Sequence, residues 1–212
     1  MAIKEAVEHL ISADSRLKKV IESVGELQIY RYGSSDVFIF LVREIVGQMI
    51  SSGVKNLIFQ RLLVLCNNNI TPETLNNLTV EQLHEIGLSN AKSNYILNLA
   101  HLVSVKAIDF DYINNLNDDE ALKELVKIKG IGKWTAKMYL IFFLQRENIL
   151  PYEDGAFLQA YKWLYNTKKT TPESISKKCN KWKPYQSIGA RYMYQVLDRG
   201  LTKIPLKDFL NR

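Results

Sequence analysis

The chain has 212 residues, of which 47% are hydrophobic, enough for one large domain or two small lobes with a substantial core. Its net charge of +6 and isoelectric point near 9.1 favour an anionic partner without identifying one. Two widely separated cysteines, Cys66 and Cys179, exclude a disulfide framework and a four-thiolate zinc or iron–sulfur site, so we expect two free thiols. The sequence has no apolar stretch long enough to span a membrane, and its N-terminus does not resemble a signal peptide.

Apolar residues at helical spacing predict a series of short helices from the N-terminus onward. In residues 4–24 they recur every three or four positions and predict two amphipathic helices with a break at residues 12–14. Residues 25–35 indicate an irregular connection, and the stretch 33–35 is the predicted lobe boundary. Asp36 is the predicted cap of a third helix, whose apolar spacing continues as far as Ile50.

Helix-start signals mark most of the remaining elements. Thr71-Pro72-Glu73 places a capping hydroxyl, a first-turn proline and a first-turn acid in order, and residues 171–173 repeat the pattern. Further helices are predicted at residues 54–65, 79–87, 89–103, 118–128, 133–145, 157–165, 172–180 and 185–199. Because little of the sequence alternates with a period of two, the predicted fold class is all-α.

The most distinctive stretch is a Gly-x-Gly turn at residues 129–132, between two helical runs. Such a turn is expected to leave backbone N–H groups unpaired beside the positive end of the second helix, which suits a phosphate. Four lysines surround the turn and favour a polyanion backbone over a single metabolite: Lys127, Lys129, Lys133 and Lys137. Glycine turns between helices are also commonly only structural, so this pattern alone leaves both interpretations open.

The spacing of residues 125–136 resembles the helix-hairpin-helix motif, in which backbone amides, and often a cation held by turn carbonyls, grip a DNA phosphate. Asp154 follows Gly132 at about the distance that separates this motif from the catalytic aspartate in helix-hairpin-helix base-excision glycosylases. Five stretches spread over nearly the whole chain resemble the 3-methyladenine DNA glycosylase II family: residues 6–10, 45–51, 131–136, 150–154 and 181–185.

The resemblance implies an all-α fold of two helical lobes with the active-site cleft between them. The implied central lobe is 35–147 and ends in the hairpin, while residues 1–34 and 148–212 form the second lobe, which carries Asp154. The additional N-terminal β domain of some family members is not expected.

Asp154 is the catalytic residue that the resemblance implies. Cleavage of an N-glycosidic bond builds positive charge on the sugar, and a nearby carboxylate stabilises that charge or orients the attacking water. Capping of the following helix is the alternative use of Asp154, and Glu153 is the rival acid. Trp134 occupies the position at which members that also nick DNA carry a nucleophilic lysine, so a monofunctional glycosylase is implied.

The implied base pocket consists of Trp134, Met138, Gly155 and Tyr194. The Trp134 ring would stack on an extruded base and favour a cationic, alkylated one, although core packing is its alternative role. Met138 and Gly155 differ from the residues common in the family, which indicates an altered pocket. The implied DNA-binding residues are Gln48, Met49, Lys129, Gly130, Ile131, Gly132, Lys133 and Thr135.

Within that set, the Gln48-Met49 pair corresponds to the position that fills the gap left by a flipped nucleotide. Periodicity fits Met49 equally well as a core residue. Trp182 is interpreted as structural, packing the last helices.

The function implied is a monofunctional DNA glycosylase that excises alkylated purines, of the 3-methyladenine and 7-methylguanine type, from double-stranded DNA. A glycosylase for uracil or an oxidised purine, and a non-catalytic lesion-binding module, are the alternatives. We expect no cofactor and no iron–sulfur cluster, but the hairpin backbone near Lys127 and Gly130 is the implied place for a sodium or potassium ion. The expected protein is a monomer, cytoplasmic and without a membrane partner.

Overall fold

A computed structural model describes residues 2–33 and 36–211, and within them the chain is helical without a β-strand, which confirms the all-α prediction. The first seven helices are α1 (Ala2–Ala13), α2 (Ser15–Val24), α3 (Val37–Gly47), α4 (Ser52–Leu65), α5 (Pro72–Asn76), α6 (Val80–Glu85) and α7 (Asn90–Ser104). The other seven are α8 (Phe110–Asn115), α9 (Asp118–Leu125), α10 (Lys133–Met138), α11 (Gly155–Tyr165), α12 (Pro172–Cys179), α13 (Gln186–Asp198) and α14 (Leu206–Leu210). No helix among these is both long and apolar enough to cross a lipid bilayer.

Backbone contacts divide the chain into two compact units. The central unit is Arg31–Leu144, and the terminal unit combines Met1–Tyr30 with Gln145–Arg212. The predicted lobe boundary at residues 33–35 includes Ser34 and Ser35, which lie outside the described residues.

Local capping explains why most helices begin where the sequence predicts. The Thr71 and Thr79 hydroxyls each accept the backbone N–H three residues on, and both helices have a complete capping box. The prediction for Asp36 is wrong: its carboxylate accepts the Gly33 N–H at 2.8 Å and caps no N–H of α3. Helices α8 and α14 were not predicted, because each is only about a turn and a half long and lacks the capping box that marks the equally short α5 and α6.

Three predicted helix ends are wrong, and tertiary structure explains each. Helix α3 stops at Gly47 and not at Ile50, because the chain turns through Met49 at a φ of 57° before Ser51 caps α4. Helix α9 stops at Leu125, ahead of the glycine turn. Helix α10 changes at Tyr139–Phe143 into a π-helical turn, closed by the Leu144 N–H on the Tyr139 carbonyl at 3.0 Å.

The π-helical turn belongs to an aromatic cluster in the core of the central unit. Tyr139 and Phe143 stack with ring centroids 4.8 Å apart, and Tyr32 stacks on the other side of Phe143 at 5.4 Å. The Tyr139 hydroxyl donates to Asn114 Oδ1 at 2.6 Å. Tyr139 and Phe143 are both buried, so ring packing holds the π-helical turn in the core.

The core of the terminal unit is built around a buried carboxylate. Asp14, 2% exposed, caps α2 by accepting the N–H groups of Arg16 and Leu17 on Oδ1. Its Oδ2 accepts the Tyr165 hydroxyl, the Trp182 indole N–H at 3.0 Å and the Lys181 ammonium at 3.1 Å. Trp182 is completely buried, which confirms its predicted structural role.

Both cysteines are free and buried, as predicted. Burial raises the pKa of the Cys66 thiol and of the Cys179 thiol, so both remain protonated and unreactive.

Candidate functional site

The glycine turn between α9 and α10 depends on one left-handed residue. Gly130 has a φ of 96°, and a Cβ at this position would lie 2.4 Å from Cβ and 2.5 Å from Cγ of Tyr95 on α7. Gly132 is different, because its φ is −85° and an added Cβ would meet nothing within 4 Å. Gly130 is therefore required by its left-handed backbone conformation and by its close packing against Tyr95. Neither reason applies to Gly132, which is exposed at the start of α10.

Gln48 ties the turn between α3 and α4 to the hairpin. Its Nε2 donates to the Gly130 carbonyl at 2.8 Å and to Thr135 Oγ1 at 3.1 Å. Thr135 is only 1% exposed, so its hydroxyl serves this internal bond. The contacts of Gln48 and Thr135 with DNA stay predictions, and in this structure both residues brace the hairpin.

The hairpin surface is less cationic than the sequence indicated. Lys137 is buried, and Lys127 forms a salt bridge with Glu124 at 2.6 Å, so neither is an open cation beside the turn. Lys129 and Lys133 are exposed. The two of them carry the positive charge that the turn presents to solvent.

The expected row of outward, unpaired turn N–H groups is wrong at Ile131. Its N–H donates to the Ile128 carbonyl at 2.9 Å, and its side chain is buried. The N–H of Lys133 lies in the first turn of α10, where a helix offers no internal acceptor. An anion would therefore approach at Gly132 and Lys133, the exposed start of α10.

Met49 lies outside the core, so the alternative of an ordinary core residue is wrong. Its side chain is 101% exposed, and its φ of 57° is rare for a residue with a side chain. The adjacent Gln48 holds the turn in place through the hairpin. An exposed, flexible thioether on a braced turn has the shape expected of a side chain that inserts between base pairs.

Trp134 and Met138 lie four residues apart on α10 and so share one face of the helix. Trp134 is half-buried, and Met138 is buried. Part of the indole surface is therefore exposed, and both its role in a base pocket and the alternative of core packing stay predictions.

Asp154 begins α11 in the terminal unit. Its Oδ1 accepts the Phe157 N–H at 2.7 Å, so the alternative role as an N-cap is confirmed. Asp154 is only 7% exposed, whereas Glu153 is exposed. Among the described residues the only other buried carboxylate is Asp14, whose two oxygens already accept five donors.

Two further predicted pocket residues lie in the terminal unit with Asp154. Gly155 is exposed, and an added Cβ would meet nothing within 4 Å, so glycine is not required there by packing. Tyr194, half-buried, packs against the core from α13. The other predicted site residues, Gln48, Met49, Trp134, Met138 and the hairpin, belong to the central unit.

A metal bound by side chains has no ligand set in the described chain, where no three His, Cys, Asp or Glu residues cluster. An ion at the hairpin would have to be held by neutral backbone carbonyls, a donor set that suits a monovalent cation. The Gly130 carbonyl already accepts Gln48 and has one remaining lone pair. This carbonyl is one available donor, and a sodium or potassium ion at the hairpin stays a prediction.

The contact of α7 with the hairpin and with the end of α3 could not be identified from the sequence. Tyr95 packs on Gly130, and Lys92, also on α7, donates to the Val46 carbonyl at 2.9 Å. Burial lowers the pKa of Lys92. No local signal in the sequence relates Tyr95 to Gly130, which lies about 35 positions later.

Replacing Gly130 by alanine is expected to destabilise the protein by about 2–4 kcal/mol, because the left-handed φ and the Tyr95 contact both oppose a Cβ. The matched Gly132→Ala change is expected to cost less than about 1 kcal/mol. Denaturant unfolding of both variants measures the difference. Equal destabilisation by the two changes would contradict the assignment of Gly130 as the constrained residue.

Helices α9 and α10, joined by a turn with a left-handed glycine, form a helix-hairpin-helix arrangement, and a buried aspartate caps the later helix α11. Residues 42–184 match the family model described as HhH-GPD superfamily base excision DNA repair protein. The chain belongs to this superfamily of base excision DNA repair proteins.

Individual relatives resemble the chain over almost its full length. The alkylbase DNA glycosidase-like protein mag2 of Schizosaccharomyces pombe is 30% identical over 202 residues, covering 91% of this chain and 93% of that protein. The 3-methyladenine DNA glycosylase Mag1 of the same yeast, solved in complex with abasic DNA, is 26% identical with a TM-score of 0.82, covering 92% of this chain and 97% of that one. The DNA-3-methyladenine glycosidase of Bacillus halodurans is 28% identical with a TM-score of 0.78, covering 98% and 96%.

Proposed function

We propose that the protein is a monofunctional DNA glycosylase that hydrolyses the N-glycosidic bond of alkylated purines in double-stranded DNA and leaves an abasic site. The observation that carries the proposal is the buried carboxylate of Asp154, held at the start of α11 by the Phe157 N–H. The relatives named for 3-methyladenine and alkylated bases support the choice of substrate.

Asp154 supplies the electrostatic part of the reaction. As the base leaves, positive charge develops on the sugar, and a carboxylate shielded from water stabilises it strongly. An N-alkylated purine is already cationic and leaves without a strong acid, so one carboxylate is sufficient. Asp14, the other buried acid among the described residues, accepts hydrogen bonds from Tyr165 and Trp182 in the core, so Asp154 is the single buried carboxylate left for catalysis.

The central unit supplies DNA binding and base recognition. Gly132 and Lys133 contact a phosphate through the start of α10, and Met49 fills the space that the flipped nucleotide leaves. Trp134 stacks on the extruded base, where its π face attracts a cationic ring. Because indole cannot form a Schiff base with the sugar, the reaction stops at the abasic site.

The wild-type protein is expected to release free methylated purines from a methylated duplex without breaking the strand. Chromatography of the released bases measures the first result, and a denaturing gel without alkaline treatment measures the second. Borohydride reduction is expected to trap no protein–DNA adduct, because no amine attacks the sugar.

A panel of duplexes with single lesions separates the alternatives. Release of uracil or an oxidised purine in preference to alkylated purines would contradict the proposed substrate. Tight binding to abasic-site DNA without release of any base would contradict the enzyme assignment and support a lesion-binding module.

A further inference from the structure

The positive charge of the chain is unevenly distributed between its two units. The central unit, which contains the hairpin, has 11 basic and 11 acidic residues and is formally neutral. The terminal unit has 17 basic and 11 acidic residues and carries the whole net charge of +6. Within it, residues 162–183 contain seven lysines and a single acid, Glu173.

Two of these lysines lie beside Tyr165, the last residue of α11. Lys178 lies 4.9 Å and Lys181 5.8 Å from the centroid of its ring. The other five lysines lie within about four residues of Tyr165, Lys178 or Lys181 in the sequence. We name this set of seven lysines the basic patch: Lys162, Lys168, Lys169, Lys177, Lys178, Lys181 and Lys183.

All seven lysines of the basic patch are exposed. Lys181 is paired with Asp14, and Lys178 lies over the Tyr165 ring. The remaining five form no salt bridge with any residue in 2–33 or 36–211. Within residues 162–183 only Glu173 offsets these lysines, so the segment has a formal charge of +6, which favours a polyanionic partner.

The composition of the basic patch identifies the kind of partner it fits. Residues 162–183 include no exposed large hydrophobic side chain. A protein interface usually has an apolar centre, and a helix on a membrane surface buries an apolar face. Lysine ammonium groups on a polar surface suit phosphates, which they contact as point charges without reading sequence.

We propose that the basic patch is a second nucleic-acid contact, which binds the phosphate backbone of duplex DNA without sequence preference. The inference rests on the proposed function in taking duplex DNA as the polyanion. Asp154 caps the start of α11 and Tyr165 ends it, about 16 Å further along the helix axis, so the basic patch is separate from the catalytic carboxylate. Such a contact holds the protein on undamaged DNA while it slides or hops in search of a lesion.

The test compares two variants with the same change in formal charge. In the patch variant, Lys168, Lys169, Lys177 and Lys183 are replaced by glutamine, which leaves the Asp14 and Tyr165 contacts intact. In the control variant, four exposed lysines elsewhere in the terminal unit are replaced by glutamine: Lys4, Lys18, Lys203 and Lys207. Equilibrium binding to an undamaged duplex of about 30 base pairs is measured over a range of salt concentrations.

For the patch variant, the slope of log affinity against log salt is expected to become shallower by about 2–4, because each lost phosphate contact removes about 0.9. The control variant is expected to change the slope by less than about 1. Equal slopes for the two variants would overturn the proposal. If the patch variant does not fold, the double change Lys168→Gln and Lys169→Gln, in the loop after α11, is expected to reduce the slope by about 2.

Other outcomes separate this inference from the proposed function. A wild-type protein that releases no base, together with the expected slope difference, contradicts the glycosylase and supports the basic patch. Normal base release, together with equal salt slopes for the two variants, supports the glycosylase and contradicts the basic patch. Unchanged duplex slopes together with lost binding of polyglutamate by the patch variant would overturn the proposal in favour of an acidic protein partner.

Discussion

Replacing Asp154 by asparagine is expected to lower the rate of base release by about 100- to 1000-fold while leaving the fold intact. Asparagine is as good an N-cap as aspartate, and its side-chain oxygen can still accept the Phe157 N–H that Asp154 accepts at 2.7 Å. The substitution therefore removes the negative charge without removing the cap. Single-turnover release of methylated purines measures the rate, and thermal unfolding checks the fold.

Two companion variants separate charge from capping. Asp154→Ala removes both, so it is expected to be as inactive as the asparagine variant and also less stable by about 0.5–2 kcal/mol. Glu153→Gln removes the adjacent, exposed carboxylate and is expected to retain most activity. All three variants are expected to bind abasic-site DNA. Full base release by Asp154→Ala would refute the catalytic assignment.

Helix starts could be predicted from the sequence because the groups that fix them are neighbours. At Thr71 and Thr79 the hydroxyl, the N–H that it caps and the reciprocal side chain lie within four residues. Helix ends were less predictable, since they depend on distant contacts. The apolar spacing of α3 runs through Gln48, but that side chain is bonded to Gly130, 82 positions later, and the helix stops at Gly47.

The same distinction between local signals and distant contacts applies to the residues of the candidate site. Asp154 and the glycine turn have strong local signatures, and the sequence placed both correctly at a helix start and between two helices. Whether a side chain is exposed depends on packing across the fold. Periodicity could not decide between core and surface for Met49, and the lysines around the turn could not reveal that Lys137 is buried. The bracing of Thr135 by Gln48 joins residues 87 positions apart.

Replacing Asp14 by alanine is expected to destabilise the protein by about 3–5 kcal/mol. The change leaves the Tyr165 hydroxyl and the Trp182 indole N–H buried without their acceptor and removes the cap of α2. Lys181 adds little to this figure, because its side chain is 39% exposed and solvent screens the ion pair. Asp36→Ala is the matched control, expected to cost less than about 1 kcal/mol, because Asp36 also precedes a helix but does not cap it. Similar denaturation midpoints for the two variants would contradict the central role of Asp14.

Asp14 should also make stability depend on pH. Burial alone would raise the pKa of this carboxyl, but the hydrogen bonds from Tyr165, Trp182, Lys181 and the Leu17 N–H lower it below its ordinary value. Since the folded-state pKa is depressed, the unfolded chain binds the proton more readily. The stabilisation is therefore fully present above the unfolded pKa, about 3.9, and is lost as pH falls through the folded value. Denaturant unfolding between neutral and acidic pH is expected to show a smaller acid-dependent loss of stability in Asp14→Asn than in the wild type, and parallel pH curves would refute this linkage.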